Sequence, residues 1–218
     1  MKVALCMSGV PRGEYESLTF IKNMSEKHDC YLFLHYWNPK TFPANESWSK
    51  KQTYDFSSEQ IPLPSEKIFY KKEEFADHEL EFKTIYDTIP EQYRWRKDLG
   101  PSSMFYGVKQ AFLLKEEYEK EINQKFDCVF RMRFETYIKF ITIENFDLDL
   151  LHIPAFGSHP ICDQFAFSNS QIMSFYSNCY DNIIELSKND LYHPERILNQ
   201  HLKNQPIKLL HFGNDMSL

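Results

Sequence analysis

The chain has 218 residues and a net charge of −6, from 25 Lys and Arg against 31 Asp and Glu, with 42% hydrophobic, 26% charged and 16% aromatic residues. That length suits one hydrophobic core, so a single domain over residues 1–218 is expected, and the apolar content excludes a disordered or fibrous chain. The acidic balance speaks against a nucleic-acid partner, whose affinity rests on clustered Lys and Arg, and only six glycines rule out a long Gly-rich phosphate loop.

Any nucleotide must therefore be gripped by other means. No apolar run reaches the roughly 20 residues that span a bilayer. The run after Lys2 stops at Pro11-Arg12, too short for a signal-peptide core. A cytoplasmic protein without a transmembrane segment is expected. The cysteines at 6, 30, 128, 162 and 179 are odd in number and widely spaced, with no Cys-x-x-Cys, which reads as buried reduced thiols.

In chain order, Val3-Ala4-Leu5-Cys6-Met7 reads as a buried strand opening into the loop Ser8-Gly9-Val10-Pro11-Arg12. A helix with Leu18, Ile21 and Met24 on one face follows, then a second buried strand from Asp29 to His35. Strand, helix, strand in so short a span is the signature of a parallel sheet with covered faces, hence the α/β class. Residues 38 to 66 carry four prolines and no sustained period, which marks a long surface excursion of the kind that often binds ligands. Lys67 to Tyr70 reads as a third strand, followed by a charged segment to Glu81 and an irregular one from Asp87 to Gly100.

Ser102 or Ser103 is placed to cap a strong helix, since Phe105, Val108, Ala111, Phe112 and Lys115 recur at helical spacing. Residues 127 to 130 read as a central strand ending at Arg131-Met132-Arg133-Phe134-Glu135, with an extended run from Tyr137 to Ile143 and short strands at 150–153 and 162–167. Ser168 or Ser170 would cap a helix through Leu186. A last helix should start at His193-Pro194-Glu195, where proline suits the first turn, and residues 207–211 form a final strand candidate.

Ligands of an open parallel sheet bind beyond the carboxyl ends of its strands, and three polar clusters fall there. In the first, Gly9 lets a ligand approach the backbone beside Ser8, and Arg12 offers a planar fork to phosphate oxygens; the alternative is a turn with a surface arginine. In the second, Trp37 beside His35 and Tyr36 offers a ring to stack on a base or sugar, or else belongs to a half-buried core. In the third, Arg131, Arg133 and Glu135 alternate, so an extended chain puts all three on one face. Charges at the exit of a buried strand demand partners, which a diphosphate with a divalent cation would supply; a structural Arg/Glu network is the alternative. Mg²⁺ or Mn²⁺ needs only one or two protein carboxylates. Asp163 and Glu195 each read as a catalytic base or sugar-hydroxyl acceptor, or as a cap or surface carboxylate. No serine-hydrolase elbow, zinc-protease motif or Walker loop is present, and the eight histidines show no metal spacing.

These residues resemble the GT-A type glycosyltransferases of bacterial and viral capsular polysaccharide and lipopolysaccharide synthesis. The opening strand and its loop to Arg12 look like that family's start. Residues 29 to 37 are similar to its Asp-x-Phe-x-x-His-x-Trp strand, and residues 126 to 135 to its Arg-x-Arg-x-Asp strand end. Asp163 to Ser168, and Pro194-Glu195 with Leu198 and His201-Leu202, match two later patterns. The resemblance implies a Rossmann-like GT-A fold with a mostly parallel central sheet flanked by helices. It also implies transfer of a sugar from a nucleotide-sugar donor to a glycan hydroxyl, assisted by Mn²⁺ or Mg²⁺. In that scheme Ser8, Gly9, Arg12, Trp37, Arg131 and Arg133 bind the donor, Glu135 stands at the metal-ligand position, and Asp163 and Glu195 face the acceptor. Glutamate is one methylene longer than the family's aspartate; it can still reach a metal, or it signals weaker or absent metal binding. The rival readings are a sulfotransferase-like nucleotide-dependent group transferase and a non-catalytic glycan-binding protein on the same fold. The sugar, the nucleotide, the acceptor and the oligomeric state are not legible in the sequence.

Overall fold

The computed structural model describes residues 1–12, 16–43, 53, 57–94, 99–155 and 160–210. Seven strands form one sheet: β1 (Lys2–Gly9), β2 (Asp29–Trp37), β3 (Ile68–Glu73), β4 (Cys128–Met132), β5 (Leu151–Pro154), β6 (Phe165–Ser168) and β7 (Ile207–Leu210), in the order β3-β2-β1-β4-β6-β5-β7. Neighbours run parallel except around β6, which is antiparallel to both β4 and β5. The protein is thus α/β, with a mostly parallel mixed sheet compatible with a Rossmann-like fold.

Strands β1, β2 and β4 are largely buried on both faces because helices cover both, whereas the edge strand β3 is half-exposed. Helix α1 (Glu16–Ser25) lays Phe20, Ile21 and Met24 against Val3, Leu5, Met7 and Phe130. The other face carries α2 (Glu79–Thr88), α3 (Gly100–Glu121), α4 (Ser170–Ser177), α5 (Ile183–Leu186) and α6 (Pro194–His201), packed on Ala4, Cys6, Phe33 and Val129. All five cysteines are free and buried.

Two features of this topology position the site. The chain lays down β2 and β3 on one side of β1 and then crosses back to place β4 on the other, so the carboxyl ends of β1 and β4 flank a switch point where an α/β sheet opens a crevice. The reversed strand β6 pairs Phe165 with Met132, so its amino end lies at that same edge and delivers the preceding Asp163 to it.

Several element boundaries differ from those expected. Helix α3 begins at Gly100, with Pro101 in its first turn and no side-chain cap. Ser102 instead bonds Tyr192: its backbone N–H donates to the tyrosine hydroxyl at 3.1 Å. Asn169, not Ser168 or Ser170, caps α4 by accepting from the Ile172 N–H at 3.0 Å, because Ser168 donates to the Leu148 and Leu150 carbonyls and Ser170 to Glu119. The expected single helix to Leu186 is broken by a tight turn at Tyr180–Asn182. Tyr137 to Ile143 does not prolong β4. The turn at 133–136 ends that strand, and Ile138, Ile141 and Ile143 then cross the α1 face of the core. The charged stretch after Tyr70 divides between β3 and the start of α2.

Helix α3 ends in an αL residue, Asn123 (φ 49°), with the N–H of Gln124 bonded to the Glu119 carbonyl at 3.1 Å and that of Asn123 to Lys120 at 3.3 Å, a Schellman-type stop. The turn brings the chain back so that the Phe126 N–H and the Lys125 ammonium both reach the buried Glu119 carboxylate, at 3.0 and 2.8 Å.

Candidate functional site

Gly9 closes β1 with φ +130°, a conformation that L side chains rarely adopt, and a Cβ built there meets no described atom within 4 Å. Its backbone is therefore open to close approach, as expected. Three residues on, Arg12 is buried and its Nε stands 3.8 Å from the Glu135 carboxylate.

Beyond β4 the chain turns tightly instead of continuing extended. The Arg133 N–H donates to Thr136 Oγ1 (2.9 Å), the Thr136 N–H donates to the Arg133 carbonyl (3.1 Å), and the Thr136 hydroxyl donates to the Gln164 carbonyl (3.3 Å). This turn swings Glu135 back over the strand end, so the three charged residues converge by a route other than simple alternation. Arg133 Nη2 lies 2.7 Å from Glu135 Oε1, and its Nη1 lies 3.5 Å from Asp163 Oδ2.

Arg131 differs from the other two. It is 0% exposed, and among the described residues none of its three guanidinium nitrogens has a hydrogen-bond partner. Through its register partner Cys6 it lies on the sheet face covered by α3 and α4, the face that also holds Ser8, whose buried hydroxyl is likewise unpartnered. A buried guanidinium without acceptors is costly.

The electrostatics divide the site in two. Burial pushes the Glu135 carboxyl up, but Arg133 and then Arg12 outweigh it and hold the group below its ordinary value. Burial lowers Arg12 and Arg131; it also works against Arg133, where Glu135 and Asp163 prevail and raise it. On the far side, burial raises the Asp163 carboxyl; Glu195 adds to the rise, against the pull of Arg133 and Arg131. Glu195 itself is placed by the first turn of α6 and faces His193 Nδ1 at 2.7 Å, each side chain 12% exposed. Guanidiniums thus gather at β1 and β4, while a carboxyl raised by burial stands near a second carboxylate at β6 and α6.

The expected donor residues are placed unequally. Ser8, Gly9, Arg12, Arg131 and Arg133 lie at the carboxyl ends of β1 and β4, and Asp163 joins them through its ion pair to Arg133. Trp37 does not. It is 1% exposed, stacked on Tyr106 (5.7 Å between centroids) and edge-on to Phe75 and Phe82. Its ring fills a core cluster between β2, α2 and α3, so the reading of it as a stacking platform is corrected to a packing role. Tyr36 is also buried, on the opposite face. Residues 44–52 and 54–56 of the expected binding loop over 38–66, with His159 and His211, lie outside the described residues.

Glu135 was expected to hold Mn²⁺ or Mg²⁺. Its carboxylate is already committed to two guanidiniums, and a divalent cation drawn to it would sit among like charges in a poorly solvated place. Among the described residues no three His, Cys, Asp or Glu side chains come together to hold a metal ion. The donor set does not fit a divalent cation at this position.

Sequence reasoning left out a second polar cluster. His35 on β2 donates through Nε2 to Glu73 on β3 at 2.7 Å, and Lys71 (2.8 Å), His78 (3.5 Å) and the Tyr106 hydroxyl (3.4 Å) face the same carboxylate. Its signal was a histidine in a strand otherwise made of apolar and aromatic residues. Gly107 lets α3 close over this pair: a Cβ there would stand 3.0 Å from His35 Nδ1 and 3.5 Å from Ser8 Cβ.

No protein-family model matches the chain, and no curated protein matches it. Among the described residues no helix is long and apolar enough to cross a membrane.

Proposed function

We propose that this protein is a GT-A type glycosyltransferase that moves a sugar from a nucleotide-sugar donor to a glycan hydroxyl. The observation that carries the reading is the wholly buried, unpartnered guanidinium of Arg131 at the β1/β4 switch point, with Arg133 and Arg12 beside it and two carboxyl groups opposite. Fixed cations at a strand-end crevice favour a diphosphate, the leaving group of nucleotide-sugar chemistry. The paired carboxyls supply what an acceptor alcohol needs.

In this reading Arg131 and Arg133 receive the donor phosphates, and Gly9 leaves the backbone clear for them. The bond between the sugar anomeric carbon and the phosphate oxygen breaks with its electron pair going to the diphosphate, where the guanidiniums stabilise the growing charge. The acceptor oxygen forms the new bond to the anomeric carbon, and its proton passes to Asp163 or Glu195. A carboxyl raised by burial is well matched to that exchange. No step is assigned to a metal. Five free, buried cysteines suit work in the reducing cytoplasm.

The test is a thermal-shift series with UDP-, GDP- and CMP-sugars and with adenosine phosphosulfate, followed by assay of nucleotide release with polysaccharide acceptors. A donor at 100 times its dissociation constant should stabilise the protein by about 2.7 kcal/mol. Stabilisation by a nucleotide sugar with turnover supports the transferase. Stabilisation by the phosphosulfate alone would transfer the site to sulfuryl chemistry, and binding without turnover on any acceptor would leave a glycan-binding protein.

A further inference from the structure

We infer that the donor diphosphate is held without a divalent cation. Glu135 acts as the counter-ion that keeps Arg133 and Arg12 in place, and Arg131 takes the phosphate charge that a metal would otherwise neutralise. The inference rests on the reading of this crevice as a nucleotide-sugar site.

Three observations carry it. First, Glu135 Oε1 is shared between Arg133 Nη2 at 2.7 Å and Arg12 Nε at 3.8 Å. A cation on that carboxylate would sit at about 2.0–2.6 Å from its oxygen, and therefore only a few ångströms from two guanidiniums. Second, the arginines and a divalent cation would serve one role. Mg²⁺ and Mn²⁺ bind phosphates chiefly to neutralise them, and the guanidiniums of Arg12, Arg131 and Arg133, of which Arg131 alone makes no ion pair with a described carboxylate, already bring positive charge to the ends of β1 and β4. Third, Arg131 is buried with all three nitrogens unpartnered. Its planar fork fits two phosphate oxygens, and no described carboxylate makes a hydrogen bond to it.

The roles predict opposite outcomes at Glu135. As a metal ligand, its loss abolishes cation-dependent binding. As an arginine counter-ion, its neutralisation leaves the guanidiniums with less competition, so an anion binds as well or more tightly.

The experiment is calorimetric titration of the full chain with inorganic pyrophosphate, in EDTA and then in excess Mn²⁺, for wild type, Glu135→Gln and Arg131→Met. The expected result is binding in EDTA that Mn²⁺ alters by less than about threefold, that Glu135→Gln retains or tightens, and that Arg131→Met weakens about 10- to 100-fold, the worth of a charge-assisted contact. Should Arg131→Met fail to fold, the Glu135→Gln titrations in EDTA decide alone. Pyrophosphate and nucleotide sugars binding only with Mn²⁺, and that binding disappearing in Glu135→Gln, would overturn the inference and leave the transferase reading standing. No binding of either ligand under either condition would overturn both.

Discussion

Replacing Arg131 by methionine should stabilise the unliganded protein, although it removes a residue placed at the centre of the site. Arg131 is wholly buried, burial depresses its ionisation, and its guanidinium makes no hydrogen bond among the described residues. The charge therefore bears its desolvation cost with electrostatic compensation from Tyr176, Asp163 and Glu135 that does not offset it. Methionine has a similar length, bends to fill irregular space and carries no charge. Replacing buried ionic groups by apolar ones of similar volume has gained about 1–4 kcal/mol in other proteins. For a chain of this size each kcal/mol moves Tm by about 2–4 °C, so the expected rise lies between about 2 and about 16 °C. Urea titration and calorimetry read the difference directly. Arg133→Met is the matched control: Arg133 pairs with Glu135 at 2.7 Å and Asp163 at 3.5 Å, and leaving those carboxylates uncompensated should cost about 3–5 kcal/mol. If Arg131→Met destabilises as much as Arg133→Met, the guanidinium is part of a satisfied structural network and the argument for a waiting anion site fails.

Three other outcomes follow from the packing. Glu73 is held at about 2 against an ordinary 4.5, because hydrogen bonds from His35 and Lys71 outweigh the upward push of burial. Between those values the unfolded chain binds a proton that the folded one refuses, so stability falls as pH drops from about 4.5 toward 2. Urea midpoints across that range should converge for wild type and Glu73→Gln at the acid end, and parallel curves would contradict the assignment. Gly107→Ala should destabilise by about 1 kcal/mol in chemical denaturation, because the roughly 1–3 kcal/mol of overpacking against His35 exceeds the gain in helix propensity; a stabilised variant would show that α3 has room. Glu119→Ala strands the buried Lys115 ammonium, 3.2 Å away, and should cost about 3–5 kcal/mol, whereas Lys115→Met with Glu119→Leu should recover most of it. A double variant no better than the single would refute the pairing.

The sheet was legible where burial leaves an unbroken apolar run, as in β1, β2 and β4, and α3 was legible from its apolar spacing, with Lys115 as the one charged residue in the pattern. That lysine pairs with Glu119 one turn on in the same helix, a spacing visible in the sequence, whereas the further partners of Glu119, Lys125 and the Phe126 N–H, reach it only through the Asn123 turn. Caps were misassigned at Ser102, Ser168 and Ser170 because their hydroxyls are claimed by Tyr192, by the Leu148 and Leu150 carbonyls and by Glu119, all distant in sequence. Arg133 and Glu135 meet, but through the Thr136 turn and not by alternation along an extended strand, and Arg131 bonds neither among the described residues. Asp163 reaches the site only because β6 is reversed, and strand direction is a property of the whole topology. Trp37 was misread because a ring at a strand end looks the same in sequence whether a helix covers it or not.

The most direct measurement is a crystal structure with the nucleotide sugar that stabilises the protein most. The diphosphate should lie at the carboxyl ends of β1 and β4, with its oxygens about 3 Å from the Arg131 and Arg133 guanidiniums and the sugar directed toward Asp163 and Glu195. A donor bound elsewhere on the chain, or one whose phosphates leave Arg131 unpartnered, would contradict the assignment of this crevice.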